Sequence, residues 1–162
     1  MSSAWLIGRF IDPGARFAFA ADRERVPSAD AIPFDMFGVE FSHREDRCTF
    51  ETLCAVFGLH EPALLRMAAI VHDLDLKDGR FGAAEAGTLS KVIDGLQLAT
   101  SDDDELLERG IVLFESLYLA FAQEARPTGP RPVARPRGRR SSKASKSRAN
   151  RKSTTSRRAR SR

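Results

Sequence analysis

The sequence predicts an α+β domain of short N-terminal β-strands followed by about four α-helices, with a disordered basic C-terminal tail. Three observations support this prediction: aromatic-rich runs separated by turn residues near the start, apolar residues at helical spacing in the middle, and a change of composition after Glu124. The 162 residues suffice for one ordinary domain. We therefore predict a folded domain over residues 1–123 and a tail over residues 124–162.

The first fifth of the chain is predicted to form strands and turns. The runs AWLIGRFI and RFAFAA are short and rich in aromatic residues, and Asp12-Pro13-Gly14 between them is a strong turn signal. After a polar stretch with two prolines, we expect a further strand within Phe34 to Phe41.

Two helices are predicted in the middle of the chain. Thr49 is a suitable N-cap for the first, Glu51 lies in its first turn, and Gly58 stands where a glycine ends a helix. Pro62 suits the first turn of the second, which should end before Asp78-Gly79. The residues expected to face inward are Phe50, Leu53, Cys54 and Phe57 in the first helix, and Leu64, Leu65, Ala68 and Val71 in the second.

Two more helices are predicted before the tail. The third follows an apolar spacing, and the fourth is preceded by Ser101 as a cap and by acidic residues that suit the positive end of the helix dipole. The apolar stripes consist of Leu89, Val92, Ile93 and Leu96 in the third helix, and of Leu107, Gly110, Ile111, Phe114, Leu117, Tyr118 and Phe121 in the fourth.

The charges of the chain are divided unevenly. Residues 1–124 carry 11 basic and 22 acidic groups, a net charge of −11. After Glu124 there are 15 basic residues and no acidic residue. A tail with so few apolar residues cannot bury enough surface to offset its chain entropy. It could contact nucleic acid non-specifically, or lie loosely over the acidic domain. The predicted nucleic-acid contacts are Arg137, Arg139, Arg140, Lys143, Lys146, Arg148, Arg151 and Lys152.

The cysteines and the N-terminal residues indicate the cellular compartment of the protein. Cys48 and Cys54 are six positions apart and form no disulfide framework, as in proteins of a reducing compartment. The N-terminal apolar run is interrupted by Arg9 and has no basic residue before it, so it predicts neither a signal peptide nor a membrane span. We expect a cytoplasmic protein with no membrane contact.

Two polar clusters about thirty positions apart suggest a metal site. Glu40 and His43 follow an apolar run, and His72 and Asp73 follow another at the end of the second predicted helix. Neutral imidazole and ionised carboxylate are the usual ligands of iron, manganese or zinc, so these four residues are candidate ligands of a divalent transition metal. Alternatively, His43 is a solvated loop residue, and His72 interacts with the helix dipole.

Three neighbouring residues are candidates for anion binding or redox chemistry. Arg44 and Arg47 could hold an oxyanion between their guanidinium groups, or could pair with nearby acidic residues. Cys48, beside Arg47 and close to a helix start, could have a lowered thiol pKa, or could be an ordinary half-buried residue. Cys54, on an apolar stripe, is predicted to lie in the core.

Three motifs follow one another in the chain: AWLIGRFIDP, FDMFGVEFSHREDRCTFETL and IVHDLDLKDGRFG. Together they resemble the C-terminal domain of the ChrB chromate-resistance protein family, and the resemblance runs from about Ala4 to Phe121. It implies a ChrB-like domain over residues 1–123 with a role in chromate or metal-stress resistance. The signature of the family falls on Glu40, His43, Arg44, Cys48, His72 and Asp73.

The chain departs from this family pattern in three ways. Long members are encoded with chromate efflux transporters and carry a preceding region held to supply DNA binding, whereas Met1 here lies just before the first motif, so we expect a standalone form. Gly8 replaces an arginine that relatives usually carry, and the basic tail is not part of the pattern.

Two classes of function with a site remain open, besides a purely structural module with no site. The resemblance favours a metal-binding sensory or accessory domain that responds to chromate or to a metal ion. The alternative is a metal-dependent enzyme that reduces chromate through a redox metal and Cys48, or a phosphohydrolase in which His72-Asp73 is joined by His43 or His60 and by Asp94 or Asp102. The residues do not decide whether a reaction is catalysed, and they leave the oligomeric state open.

Overall fold

A computed structural model describes residues 1–20, 28 and 30–126, and these residues form a helical domain. A short helix, α1 (Ser2–Leu6), continues into a π-helical turn, Ile7–Ile11. After a long irregular segment come α2 (Thr49–Val56), α3 (Pro62–Asp75), α4 (Ala86–Ala99) and α5 (Asp103–Glu124). Within the described residues no helix is long and apolar enough to cross a membrane. The predicted tail contacts, Arg137 to Lys152, lie outside the described residues.

The predicted fold class is wrong because the described part of the chain contains no strand. The first predicted strand is helical instead, since its short apolar run suits a buried helix as well as a strand. Residues 15–20 have no regular structure. Phe34 and Phe41 form only an isolated bridge, in which Asp35 N–H donates to the Phe41 carbonyl (2.8 Å).

An aromatic cluster around Trp5 explains why the first segment is helical. The Trp5 ring stacks on Phe50 of α2 with 6.3 Å between centroids, and its centroid lies 6.5 Å from that of Phe114 and 5.6 Å from that of Tyr118, both on α5. Trp5 is 2% exposed, and its indole N–H donates to Glu115 (2.9 Å). This helical turn therefore buries its apolar side chains against two other helices, which outweighs its local strand preference.

Most of the predicted helical stripes face the core, with local corrections. Leu64, Ala68, Val71, Leu89, Phe114, Tyr118 and Phe121 are buried as expected. Phe57, Leu65 and Val92, which were predicted to face inward, are 43%, 52% and 43% exposed. The helix starts shift by one residue, since Cys48 rather than Thr49 caps α2 and Asp102 rather than Ser101 caps α5.

Arg66 joins α3 to the last turn of α5. Its guanidinium lies 3.9 Å from the Phe121 ring centroid and donates to Glu124 (2.6 Å) and to Glu85 (2.5 Å). A stacked guanidinium with two carboxylate partners is well suited to hold three elements in one arrangement.

Candidate metal centre

His72 is the centre of the candidate site. It lies in the last turn of α3, and its side chain is completely buried. Nδ1 lies 2.6 Å from Glu51 Oε2, and Nε2 lies 3.2 Å from the Asp78 carboxylate. The Phe81 ring packs edge-on against the imidazole, with 4.8 Å between centroids and planes at 90°. A buried imidazole is thus held on both nitrogens by carboxylates from two other segments.

These contacts set the protonation of the site. Burial lowers the pKa of His72, but its hydrogen bonds to Glu51 and Asp78 and their negative charges outweigh burial, so the pKa is raised overall. The pKa of Asp78 is lowered, first by the Arg80 backbone N–H that donates to it and then by His72. Without a bound cation, the site therefore favours an imidazolium between carboxylates.

One group of side chains in the described part of the chain has ligand atoms close enough for a metal ion. It consists of His72, Asp73 and Asp78, whose ligand atoms lie within 4.8 Å of one another. Asp73 also accepts the backbone N–H groups of Phe81 (3.1 Å) and Ala83 (2.7 Å), which holds the loop after α3 against the helix. The Asp78 side chain is 47% exposed, so the group opens to solvent on that side.

The predicted ligands Glu40 and His43 are not members of this group. His43 contacts Thr49 and Asp35 instead: Thr49 Oγ1 donates to Asp35 (2.7 Å) and lies 3.1 Å from His43 Nδ1. Because the single hydroxyl proton of Thr49 goes to Asp35, Nδ1 of His43 must donate to Thr49. Glu40 is exposed, and its backbone carbonyl accepts from Arg44 (2.7 Å).

The two polar clusters of the sequence nevertheless meet in space. Arg80, in the loop after α3, donates to the side chain of Asp46 (2.5 Å) and to its carbonyl (3.0 Å). In addition, the first turn of α2 carries Thr49, which contacts His43, and Glu51, which contacts His72. The clusters are therefore neighbours, but different partners hold each histidine.

Arg44 and Arg47 face each other across a tight turn. Their backbones exchange two hydrogen bonds of 3.0 and 2.9 Å, and both residues are exposed. Glu45 within this turn has a φ of 52°, in the left-handed region that non-glycine residues rarely adopt. Two further residues have this left-handed conformation: Asp35, which accepts a hydrogen bond from Thr49, has a φ of 57°, and Lys77, which precedes Asp78, has a φ of 55°.

Of the two alternatives for Cys48, the structure contradicts the lowered thiol pKa. Cys48 is completely buried, and burial raises the pKa of its thiol to about 12, although a hydrogen bond from the Glu51 backbone acts in the opposite direction. Burial likewise raises the pKa of Cys54 to about 11. Cys54 is 6% exposed and lies in the core, as predicted.

A cleft of about 210 Å³ borders this region on the side of α1 and α4. Asp35, Asp75 and Lys77 contribute its charged groups, and Val71 and Phe114 are among its apolar lining. The pKa of Asp75 is raised by burial and then by repulsion from Asp35. None of His72, Asp73 and Asp78 lines this cleft.

Sequence reasoning missed two residues of the site. Asp78 was interpreted only as a turn residue before Gly79, although a carboxylate six positions after His72 on a tight loop can return to the helix end. Glu51 was interpreted as a first-turn acid of a helix, and it does accept the Cys48 backbone N–H (2.9 Å). Its contact with His72 spans 21 positions, and no local pattern indicates it.

The fold and the site define a small helical domain with a buried histidine between carboxylates, and the comparisons with known proteins give its family. A family model described as ChrB, C-terminal domain, matches residues 1–121. Protein ChrB of Cupriavidus metallidurans is 40% identical over 123 residues, which are 75% of this chain and 37% of that protein. No solved structure matches the chain significantly.

The chain belongs to the ChrB C-terminal domain family. It is thereby related to the chromate-resistance proteins that its motifs resemble. It spans 37% of the length of the relative above, and the residues after 121 lie outside the family match.

Proposed function

We propose that this chain is a chromate-resistance protein whose domain binds a divalent transition metal and acts as a sensory or accessory module. The proposal is supported above all by the arrangement at His72: Glu51 holds one ring nitrogen, the other lies 3.2 Å from Asp78, and His72, Asp73 and Asp78 have ligand atoms within 4.8 Å of one another. Carboxylate–imidazole–metal chains are common in metal sites, where the carboxylate orients the ligating ring.

The donor atoms favour certain metals. One imidazole nitrogen and two carboxylate oxygens suit manganese, iron or zinc rather than a soft cation such as Cu(I). Three protein ligands leave positions for water or for an exogenous ligand, and the exposed side of Asp78 gives access to them. An exchangeable ion that takes up further ligands suits a sensor better than a closed structural site does.

Electrostatics also favour a cation as the first ligand. A domain with a net charge of −11 repels a dianion such as chromate. A bound divalent cation would reverse the local field and offer open positions to the oxyanion. We therefore propose that the domain binds chromate through a bound metal ion.

Metal analysis of untagged protein tests this proposal. We expect about one equivalent of manganese, iron or zinc per chain, lost in His72→Gln and strongly reduced in Asp78→Asn. The matched control is His60→Gln, because His60 is exposed and outside the group of ligands. Wild-type protein that takes up no metal from buffered Mn²⁺, Fe²⁺ or Zn²⁺ solutions would refute the proposal.

The ligands predicted from the sequence are tested in the same series. With His72, Asp73 and Asp78 as ligands, Glu40→Gln and His43→Ala should retain the metal. If His43→Ala empties the site as completely as His72→Gln does, the domain rearranges on binding, and the set of Glu40, His43, His72 and Asp73 is the better description.

The enzymatic alternatives have weaker support. The hydrolase pattern needs a second histidine beside His72-Asp73, whereas the group of potential ligands among the described residues contains one. Chromate reduction through Cys48 requires a thiolate, and burial keeps that thiol protonated. Turnover of chromate or of a phosphoester by metal-loaded protein would favour an enzyme over a sensor.

We further propose that the basic tail contacts nucleic acid without sequence preference. The support is the sequence: 15 basic and no acidic residues follow Glu124, and the segment lies beyond the family match. DNA retention should fall as salt rises, with a log–log slope of roughly 0.9 per phosphate neutralised. A full-length variant with glutamine at the eight predicted contacts is the control. Equal retention of both proteins would refute this role.

A further inference from the structure

Glu51 makes two contacts through a single oxygen atom. Its Oε2 accepts the backbone N–H of Cys48 at 2.9 Å and lies 2.6 Å from Nδ1 of His72. The Glu51 side chain is 16% exposed, and His72 is completely buried. The start of α2 and the end of α3 are therefore joined at one carboxylate.

The second contact determines which ring nitrogen can meet a metal. A carboxylate group has no proton to donate, so the ring must donate to it and Nδ1 carries a proton. Nε2 is then the nitrogen that faces Asp78, at 3.2 Å. The edge-on Phe81 ring, whose plane is at 90° to the imidazole, restricts rotation of the imidazole.

We propose that Glu51 is the positioning residue of the metal centre, a role that rests on the proposed function. Its carboxylate holds the Nδ1–H form of His72 and directs Nε2 toward Asp73 and Asp78. A capping role alone would need only the bond to Cys48. The contact with a buried histidine 21 positions away is what a ligand-orienting carboxylate requires.

The test compares metal affinity in two variants that each lose a capping carboxylate. Glu51→Gln keeps an acceptor for the Cys48 N–H but weakens the hold on His72, so the affinity for Zn²⁺ and Mn²⁺ should fall by roughly 10–100-fold. Asp102→Asn is the control, because Asp102 caps α5 through the Glu105 N–H (2.8 Å) and belongs to no ligand group. Competition with a fluorescent chelator measures both affinities.

A second measurement uses the wild-type protein, so the inference stays testable if Glu51→Gln fails to fold. In ¹⁵N-histidine-labelled protein, Zn²⁺ should shift the Nε2 resonance of His72 while Nδ1 remains protonated. A metal bound through Nδ1 would overturn the inference, and so would an unchanged affinity in Glu51→Gln.

The two proposals fail in different ways. If the wild-type protein binds no metal, both the proposed function and the positioning role of Glu51 are refuted. If the wild-type protein binds metal and Glu51→Gln binds it equally well, only the role of Glu51 fails.

Discussion

Arg80 and Asp46 form an ion pair across 34 positions of the chain, and this pair joins the loop before α2 to the loop after α3. The first of these loops carries one polar cluster that the sequence singled out, Glu40 and His43, and the second loop follows the helix end that carries the other, His72 and Asp73. The pair is exposed, so its contribution to stability is small, but it fixes which loops are neighbours.

The Arg80–Asp46 pair gives a prediction for the pKa of Asp46. The hydrogen bond and then the charge of Arg80 hold the pKa of that carboxyl below its usual range. In Arg80→Gln the pKa of Asp46 should rise toward that of an ordinary aspartate, which a ¹³C-detected NMR titration of the carboxyl group measures. Lys91→Gln, an exposed change elsewhere, should leave it unaltered. An Asp46 pKa that does not move in Arg80→Gln would contradict the pairing.

The buried thiols should be almost unreactive in the native protein. With a pKa of about 12 at Cys48 and about 11 at Cys54, the thiolate fraction near neutral pH is negligible, and both side chains are shielded from reagents. Alkylation by iodoacetamide should therefore be at least about 100-fold slower in native than in urea-unfolded protein. Rapid labelling of native protein, located by mass spectrometry at Cys48, would restore that residue as a redox candidate.

The metal-free protein should lose stability as pH rises through the titration of His72. Its pKa is raised in the folded state above the usual value of about 6.5, so the folded state binds more protons in that window. The contribution is complete below the unfolded pKa and is lost as pH passes the folded pKa. Urea midpoints measured from about pH 5.5 to about pH 8.5 should show this decline.

A histidine variant isolates this contribution to the pH dependence. His72→Gln should flatten the decline, whereas His60→Gln, at an exposed position, should keep it. An equal decline in wild-type and His72→Gln proteins would assign the pH dependence to other groups.

Replacing a side chain of α5 by alanine should lower the free energy of unfolding much more at a buried position than at an exposed one. Phe114 is 2% exposed and packs near Trp5, so Phe114→Ala should lower the free energy of unfolding by about 3–5 kcal/mol. Val112, two positions earlier on α5, is 66% exposed, and Val112→Ala should change the free energy of unfolding by less than about 0.5 kcal/mol. Chemical denaturation of both variants checks the comparison, and similar losses would mean that this face of α5 is misassigned.

The sequence predicted the middle of the fold better than its beginning. Pro62 begins α3 as expected, and four members of the stripe that ends at Phe121 are buried on α5, because a long 3.6-residue period is a strong local signal. The segment around Trp5 was assigned to a strand because its apolar run is short. Its helical form depends on stacking with Phe50, a partner 45 positions later that no local pattern reveals.

The site was predictable only in part for a related reason. His72 and Asp73 were found because imidazole and carboxylate stand side by side at a helix end. Asp78 and Glu51 reach His72 through a loop and through the packing of α2 on α3, which are tertiary features. The ligand roles of Glu40 and His43 remain predictions, which the metal analysis tests.

The left-handed backbone at Lys77 offers a route to a more robust protein. A lysine at a φ of 55° strains its backbone, whereas glycine adopts this conformation without steric cost. Lys77 lies next to Asp78 but outside the proposed ligands, so Lys77→Gly would relieve this strain while leaving the metal-binding atoms in place. An engineer seeking a more stable variant of this domain could begin at this position.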